Sequence, residues 1–206
     1  MSIIKLNNRA VKDATAVGSI TGLGNLVFIS RSTASSSSSL SITSGLTSTH
    51  KEYIFYFNNI HPSAQATNFT FNLSTDSGSN YNVTKTTTYF QAYHQPTNDS
   101  NYGFEYAGSN DLAQSTGSQI LAQNVGNDDD SSMSGYLHLF EPSSDTFVKH
   151  FLSNISYESK SGGGAVYQYN VYIAGYGNTI SAIDAIQFSM SSGNIDSGVI
   201  KLYGVS

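Results

Sequence analysis

The stretch AIDAIQFSMSSGNIDSGVIKLYGV, residues 182–205, contains two apolar runs on either side of the turn-forming residues SSGN. Ile186 and Phe188 alternate with polar residues in the first run, and Ile200 and Leu202 flank a lysine in the second. A period of two is typical of a β-strand that buries one face. The stretch therefore predicts a β-hairpin in which the second strand pairs with the first and these four side chains are buried.

The same alternation recurs upstream in the chain. In EYIFYFNNI, residues 52–60, the aromatic residues Tyr53, Phe55 and Phe57 share one face, and NFTFNLST, residues 68–75, alternates apolar with polar residues. Both patterns predict strands with one buried face. Further strands are predicted at residues 81–94, 135–142, 146–159, 165–176, 182–190 and 198–205, with weaker ones at 25–30, 39–43 and 118–123.

Turn-forming residues separate these strands, and no stretch of a dozen residues has helical periodicity. Short strands with polar connections favour an antiparallel arrangement of two sheets. We therefore predict an all-β fold, an antiparallel jelly-roll-like β sandwich formed by residues 25–206. Within it, the serine run at 35–39 is expected to be a flexible loop. The predicted connections lie at 76–80, 95–103, 125–132, 141–145, 160–164 and 191–194.

Composition limits the class of protein. The chain of 206 residues fits one domain or one domain with an appendage, and it contains no cysteine, so disulfides and thiolate metal sites are excluded. Only 11% of residues are charged, but 14 tyrosines and 11 phenylalanines supply enough apolar surface for a folded core. Stability must therefore come from packing, sheet hydrogen bonds or assembly with other chains.

The chain has a net charge of −5, and its charged residues are distributed unevenly along the sequence. Residues 1–31 carry Lys5, Arg9, Lys12 and Arg31 against a single acid, whereas the remainder is strongly acidic. An acidic body repels phosphate, so we expect no nucleic-acid binding. No apolar run is long enough for a membrane span, so we expect no membrane insertion. The first residues lack a secretory pattern, so we expect the chain to be made in a host cytoplasm.

Residues 1–24 do not share the alternating pattern of the body. They hold an apolar tip, then small residues and glycines. An arm of this kind frays in a monomer, so we expect it to dock on a neighbouring subunit or a larger particle. An edge strand of the same sandwich is the alternative. The residues expected to anchor the arm are Ile3, Ile4, Lys5, Leu6, Arg9 and Lys12.

Several long segments, in this order along the chain, resemble a family of small structural proteins of marine tailed bacteriophages. They are IIKLNNRAVKD (3–13), TSTHKEYIFYFNNIHPS (47–63), STDSGSNYNV (74–83), NDLAQSTG (110–117), SGYLHLFEPSSDTFVKHF (134–151) and TISAIDAIQFSMSSGNIDSGVIKLYGV (179–205). The resemblance covers nearly the whole chain. It implies a place in a virus particle without fixing which one, and it supplies no catalytic motif.

Catalytic chemistry has little support in the sequence. There is no G-x-S-x-G, H-E-x-x-H or P-loop motif, and the histidines are scattered without ligand spacing: His50, His61, His94, His138 and His150. We expect a structural role for each of them. An enzyme, such as a capsule-degrading depolymerase, is therefore disfavoured, and no catalytic, cofactor-binding or metal-binding residue is assigned.

Two kinds of polar segment could bind a ligand. The loops DSGSN, with Asp76 and Asn80, and NDDD, residues 127–130, offer oxygen ligands for calcium, although neither has the full spacing of a calcium loop. Solvated turns are the simpler interpretation, so no cofactor is expected.

Tyr102 and Tyr106, in a predicted long connection near amide side chains, could stack on a sugar of the host surface. Alternatively, they cover one end of the sandwich or fill a subunit interface.

Together these observations predict a non-enzymatic structural protein on the exterior of a tailed-phage virion, arranged as a homotrimer. A trimer shields sheet edges and suits both fibres and three-fold capsid positions. The leading hypothesis is a tail-fibre or fibre-associated module anchored through the arm to other virion proteins. The alternatives are a capsid decoration protein that clamps neighbouring capsid subunits and a host-glycan-binding lectin.

Overall fold

A computed structural model describes residues 26–160 and 164–205, and within these ranges the chain forms strands and no helix. The predicted arm, residues 1–24 with its anchoring residues, lies outside the described residues. The strands are β1 (Leu26–Ser37), β2 (Ser39–Ile42), β3 (Glu52–Pro62), β4 (Thr67–Ser74), β5 (Lys85–Gln95), β6 (Asn98–Tyr106), β7 (Gln119–Val125), β8 (Met133–Phe140), β9 (Lys149–Lys160), β10 (Val166–Gly177), β11 (Ala185–Met190) and β12 (Ile195–Val205).

The strands form two antiparallel layers. The order β1-β12-β3-β8-β9-β10-β5-β6 makes a wide layer, which we call the front sheet, and β2-β11-β4-β7 makes a narrow one, the back sheet. The layers are continuous with each other through a β7–β9 bridge at Val125 and Ser159. The predicted all-β antiparallel fold is confirmed, while the jelly-roll connectivity stays a prediction.

The predicted hairpin over residues 182–205 is wrong, although its buried side chains are right. β11 pairs with β2 and β4 in the back sheet, whereas β12 pairs with β1 and β3 in the front sheet. The SSGN turn therefore carries the chain from one sheet to the other. Ser63 holds this turn, because its N–H donates to Asn194 O at 2.9 Å and its hydroxyl accepts from Asn194 N–H at 2.8 Å.

The core lies between the sheets and is centred on Phe188 of β11. Its ring lies 5.7 Å from Phe55 and 5.2 Å from Phe57, both on the front sheet. It also lies 5.9 Å from Phe69 and 6.4 Å from Phe71, both on β4. All five rings are at most 1% exposed. The alternation read from the sequence therefore placed the right residues in the core.

Three local expectations fail. β4 is buried on both faces, with Thr70 and Asn72 7% and 5% exposed, because its second face is also covered: Asn72 Nδ2 donates to Thr116 O at 3.0 Å. The other two fail because pairing with a neighbouring strand overrides the local pattern. The serine run at 35–39 extends β1 and begins β2 and is not a flexible loop: Ser35 pairs with Ser197 of β12. The connection predicted at 95–103 is largely β6, which pairs with β5.

Candidate association surface

The outer face of the front sheet, opposite the core, carries a line of aromatic side chains. Residues directly opposite each other in neighbouring strands point to the same face. The pairings across β3, β8, β9, β10, β5 and β6 therefore place six residues in one line, which we call the aromatic row: Tyr56, Tyr136, Asn154, Tyr172, Phe90 and Tyr106.

Ring contacts extend the aromatic row at both ends. Tyr56 lies 6.4 Å from Tyr136 and 5.7 Å from Tyr203 of β12, and Tyr203 in turn lies 5.5 Å from Phe28 of β1. At the other end, Phe90 lies 5.1 Å from Tyr106 of the row and 6.1 Å from Phe104, also on β6. Aromatic side chains therefore lie along the front sheet from β1 to β6, interrupted on β9 by Asn154 between Tyr136 and Tyr172.

Much of this surface faces solvent. Tyr172 is 54% exposed, Tyr106 50%, Phe90 37%, and Leu152 beside the row 49%. These four side chains, of about 200 Å² each and roughly half exposed, give on the order of 400 Å² of apolar surface, while Tyr56 and Tyr136 are half-buried. The largest apolar patch on a folded monomer is typically about 300–600 Å² and is often functional. A shallow cavity of 200 Å³, lined by Phe90, Tyr136, Leu152 and Tyr172 among others, interrupts the face.

The aromatic row is also uncharged. The row beside it, which runs from Ile54 through His138 and Leu152 to Thr88, likewise contains no carboxylate, lysine or arginine. The Nδ1 atom of His138 lies 2.7 Å from the Glu52 carboxylate, and the Asp111 carboxylate accepts from the Tyr106 hydroxyl, so both of these acids have partners. On the other side of β3, the register places Lys201 of β12 opposite Tyr56 and Arg31 of β1 opposite Lys201. Apolar contacts therefore dominate the part of this face that runs from β3 to β6, and two cations lie toward its β1 edge.

The two tyrosines proposed as glycan contacts lie on this same face. Tyr102 and Tyr106 are on β6, opposite His94 and Phe90 of β5. Tyr102 is 68% exposed. The Tyr106 hydroxyl donates to the Asp111 carboxylate, and this hydrogen bond raises the pKa of the phenol. The structure therefore places both on one edge strand and not, as predicted, in a loop.

In the two loops considered for calcium, one carboxylate each, that of Asp76 and that of Asp128, has partners within the chain. Asp76 accepts from the Ser74 hydroxyl at 2.7 Å and from the Asn80 backbone N–H at 2.8 Å, and the hydrogen bonds from Asn80 lower its pKa. Asp128 lies 2.5 Å from the ammonium of Lys160. In the part of the chain that the structure describes, no three His, Asp or Glu side chains are grouped so that they could hold a metal ion.

The histidines stay apart, each with its own neighbours. His50 covers Gly204, whose added Cβ would lie 2.2 Å from the imidazole ring, and stacks edge-on with Tyr53. His61 donates its Nε2–H to the Asp128 carbonyl, 3.1 Å away. His94 lies 6.1 Å from the ring of Tyr102, and His150 lies 5.9 Å from that of Tyr176.

Two buried lysines were not anticipated. Lys85 and Lys149 are 0% exposed. The Lys149 ammonium donates to the carbonyls of Ser144 and Phe147, both at 2.7 Å, and so fastens the preceding turn. For Lys85 the signal was present in the sequence, because it alternates with Thr87 and Tyr89 on the core-facing side of β5.

Comparison with known proteins yields no match: no family model fits the chain, and no curated protein or solved structure is similar to it. A membrane-spanning helix is likewise not found in residues 26–160 and 164–205.

Proposed function

We propose that the chain is a non-enzymatic structural protein on the exterior of a tailed-phage virion, most simply a tail-fibre or fibre-associated module. It acts as a homotrimer whose subunits meet through the aromatic row, and it is anchored to other virion proteins by residues 1–24. The observation that carries this proposal is the exposed, uncharged aromatic row across the front sheet.

A second copy of the chain is the occupant that this face fits. The chain has a net charge of −5, so two copies repel each other except where they meet through an uncharged surface. The aromatic row is such a surface. Together with Leu152 it exposes roughly 400 Å² of apolar surface, about half of the roughly 800 Å² that each partner contributes to a stable interface, and its aromatic composition is typical of interface centres.

The row ends on β6, whose other edge is unpaired in the described chain. An unpaired edge strand with exposed aromatic residues is prone to uncontrolled pairing unless it is covered. Packing of the β5–β6 hairpin against the aromatic row of the next subunit covers it. A head-to-tail contact of this kind closes into a ring when its rotation is three-fold.

Adsorption of the phage to its host tests the tail-fibre role. Antibodies raised against the purified chain should block adsorption, because a fibre module lies at the contact between particle and cell. Antibodies preabsorbed with the same chain serve as the control. Unimpaired adsorption in the presence of antibody that demonstrably coats the particles contradicts a tail role.

Tyr102 favours a second candidate function, recognition of a host glycan. It is the most exposed tyrosine among those on β6, and its ring lies beside His94. Exposed aromatic rings stack on sugars. If this surface binds glycan, Tyr102→Ala reduces binding of the purified chain to host cells at least about tenfold, the loss of roughly 1.4 kcal/mol.

The matched control is Phe147→Ala, which removes a ring that is 67% exposed but lies in the turn before β9. Equal binding by wild type and the Tyr102 variant, or no binding by the wild type, removes the lectin hypothesis. The measurement is flow cytometry of host cells with fluorescently labelled chain.

A further inference from the structure

Lys85 is a buried cation without a counter-ion. Its side chain is fully buried at the beginning of β5, and its Nζ atom lies 2.5 Å from Asn72 Oδ1 and 2.7 Å from Val83 O. Among the described residues, no carboxylate lies within ion-pair distance of it. Burial of an unpaired ammonium is costly, so a lysine at this position calls for a chemical explanation.

The surroundings favour the neutral amine. Burial lowers the pKa of Lys85 to about 8, so the unprotonated form is accessible near neutral pH. The neutral amine of lysine is a nucleophile, whereas the ammonium is not. The residues that contact Lys85 by hydrogen bond or strand pairing are Asn72, Val83, Ser115 and Gly177, and none of them titrates.

Hydrogen bonds fix the position of the Asn72 side-chain amide, whose carbonyl carbon is the electrophile. It is 5% exposed, and its Nδ2 donates to Thr116 O at 3.0 Å. Its Oδ1 accepts the N–H of Leu73 at 2.9 Å in addition to the contact with Lys85. A backbone N–H on this oxygen stabilises the negative charge that develops there when the carbonyl carbon is attacked.

We propose that Lys85 and Asn72 react with each other to form an intramolecular isopeptide bond between β5 of the front sheet and β4 of the back sheet. The Nζ lone pair attacks Asn72 Cγ, and the carbonyl electrons move to Oδ1. A proton passes from Nζ to Nδ2, the Cγ–Nδ2 bond breaks, and ammonia leaves as the carbonyl reforms. The products are one secondary amide and one ammonia, with no oxidant or reductant.

Such a bond links the two sheets covalently. The chain has no cysteine, so a disulfide cannot join its two sheets. An amide link between residues separated by 13 positions constrains the unfolded chain as a disulfide does. In the described contacts of Asn72 there is no carboxylic acid to assist departure of ammonia. We therefore expect slow conversion, which a time course measures.

Tryptic digestion gives a decisive readout, because Lys85 is the only lysine or arginine between Lys51 and Lys149. Purified wild-type chain is incubated for several weeks at about pH 9, above the folded pKa of Lys85. It is then denatured, digested and analysed by mass spectrometry. Trypsin does not cut after an amidated lysine, so the expected product is a single peptide of residues 52–149 that has lost one ammonia.

Other sources of ammonia loss leave a different peptide. A succinimide at Asn72 also releases ammonia but leaves Lys85 open to trypsin, so residues 52–85 appear as a separate, lighter peptide. Lys85→Arg keeps the positive charge and removes the amine. Its digest should contain no uncleaved peptide of residues 52–149. Complete cleavage after Lys85 in the incubated wild-type chain overturns the proposal.

The pH dependence of the conversion identifies the nucleophile. The rate should rise from about pH 6 to about pH 9, as the amine loses its proton through a pKa of about 8. Rates are obtained from the fraction of the uncleaved peptide in successive samples. A rate that does not change across this range contradicts attack by the neutral Lys85 amine.

Discussion

Phe188→Ala should lower the free energy of unfolding by about 3–5 kcal/mol, the usual cost of deleting a fully buried phenylalanine. Among the rings of the described residues, Phe188 is the one that contacts both the β3 pair, Phe55 and Phe57, and the β4 pair, Phe69 and Phe71. Its removal leaves a cavity between the sheets that the surrounding rings cannot fill. Urea denaturation followed by intrinsic tyrosine fluorescence measures the loss.

Two further variants make this result interpretable. Phe147→Ala deletes the same atoms from a ring that is 67% exposed and should cost under about 0.5 kcal/mol. Phe188→Leu keeps most of the volume and should cost about 1.5 kcal/mol, so it reports on the site even if the alanine variant does not fold. Equal losses for Phe188→Ala and Phe147→Ala contradict the assignment of Phe188 to the centre of the core.

Tyr172→Glu should dissociate the proposed trimer. Tyr172 lies in the middle of the aromatic row and is 54% exposed, so the isolated subunit can accept the substitution. In a contact between copies, the new carboxylate is buried without a partner. Truncation or charge at the centre of an interface costs at least about 2 kcal/mol, a weakening of subunit association of roughly 30-fold or more.

Light scattering after size exclusion measures this effect. The wild-type chain should elute with three times the chain mass of 22.1 kDa, and the Tyr172 variant with a mass that falls toward one chain on dilution. Phe147→Glu is the matched control, because it places the same charge on an exposed aromatic position outside the aromatic row, in the turn before β9. A variant that remains as fully assembled as wild type contradicts association through the aromatic row.

The sequence predicts which face of a strand is buried better than it predicts which strands pair. The period of two placed Phe55, Phe57 and Phe188 in the core, because the face that a side chain occupies depends on its own strand alone. Strand pairing depends on the rest of the fold. β11 and β12 are therefore adjacent in sequence, separated by a short turn, and still belong to different sheets.

The candidate surface could be recognised only once the register was known. Tyr56, Phe90, Tyr136 and Tyr172 are widely separated in sequence and become neighbours through strand pairing. Within the segment NDSNYGFEY, turn-forming residues suggested a loop, but pairing of Phe104 and Tyr106 with β5 makes it a strand. Local propensity is weaker than pairing with a neighbouring strand.

Immunogold labelling of intact, purified virions tests the central proposal most directly. Antibody against this chain, visualised by negative-stain electron microscopy, should place gold at the tail, as a fibre module on the particle exterior requires. Gold over the head surface would contradict the fibre role and support capsid decoration. Intact particles that carry no label, from a preparation in which a known exterior protein is labelled, contradict an exterior virion role altogether.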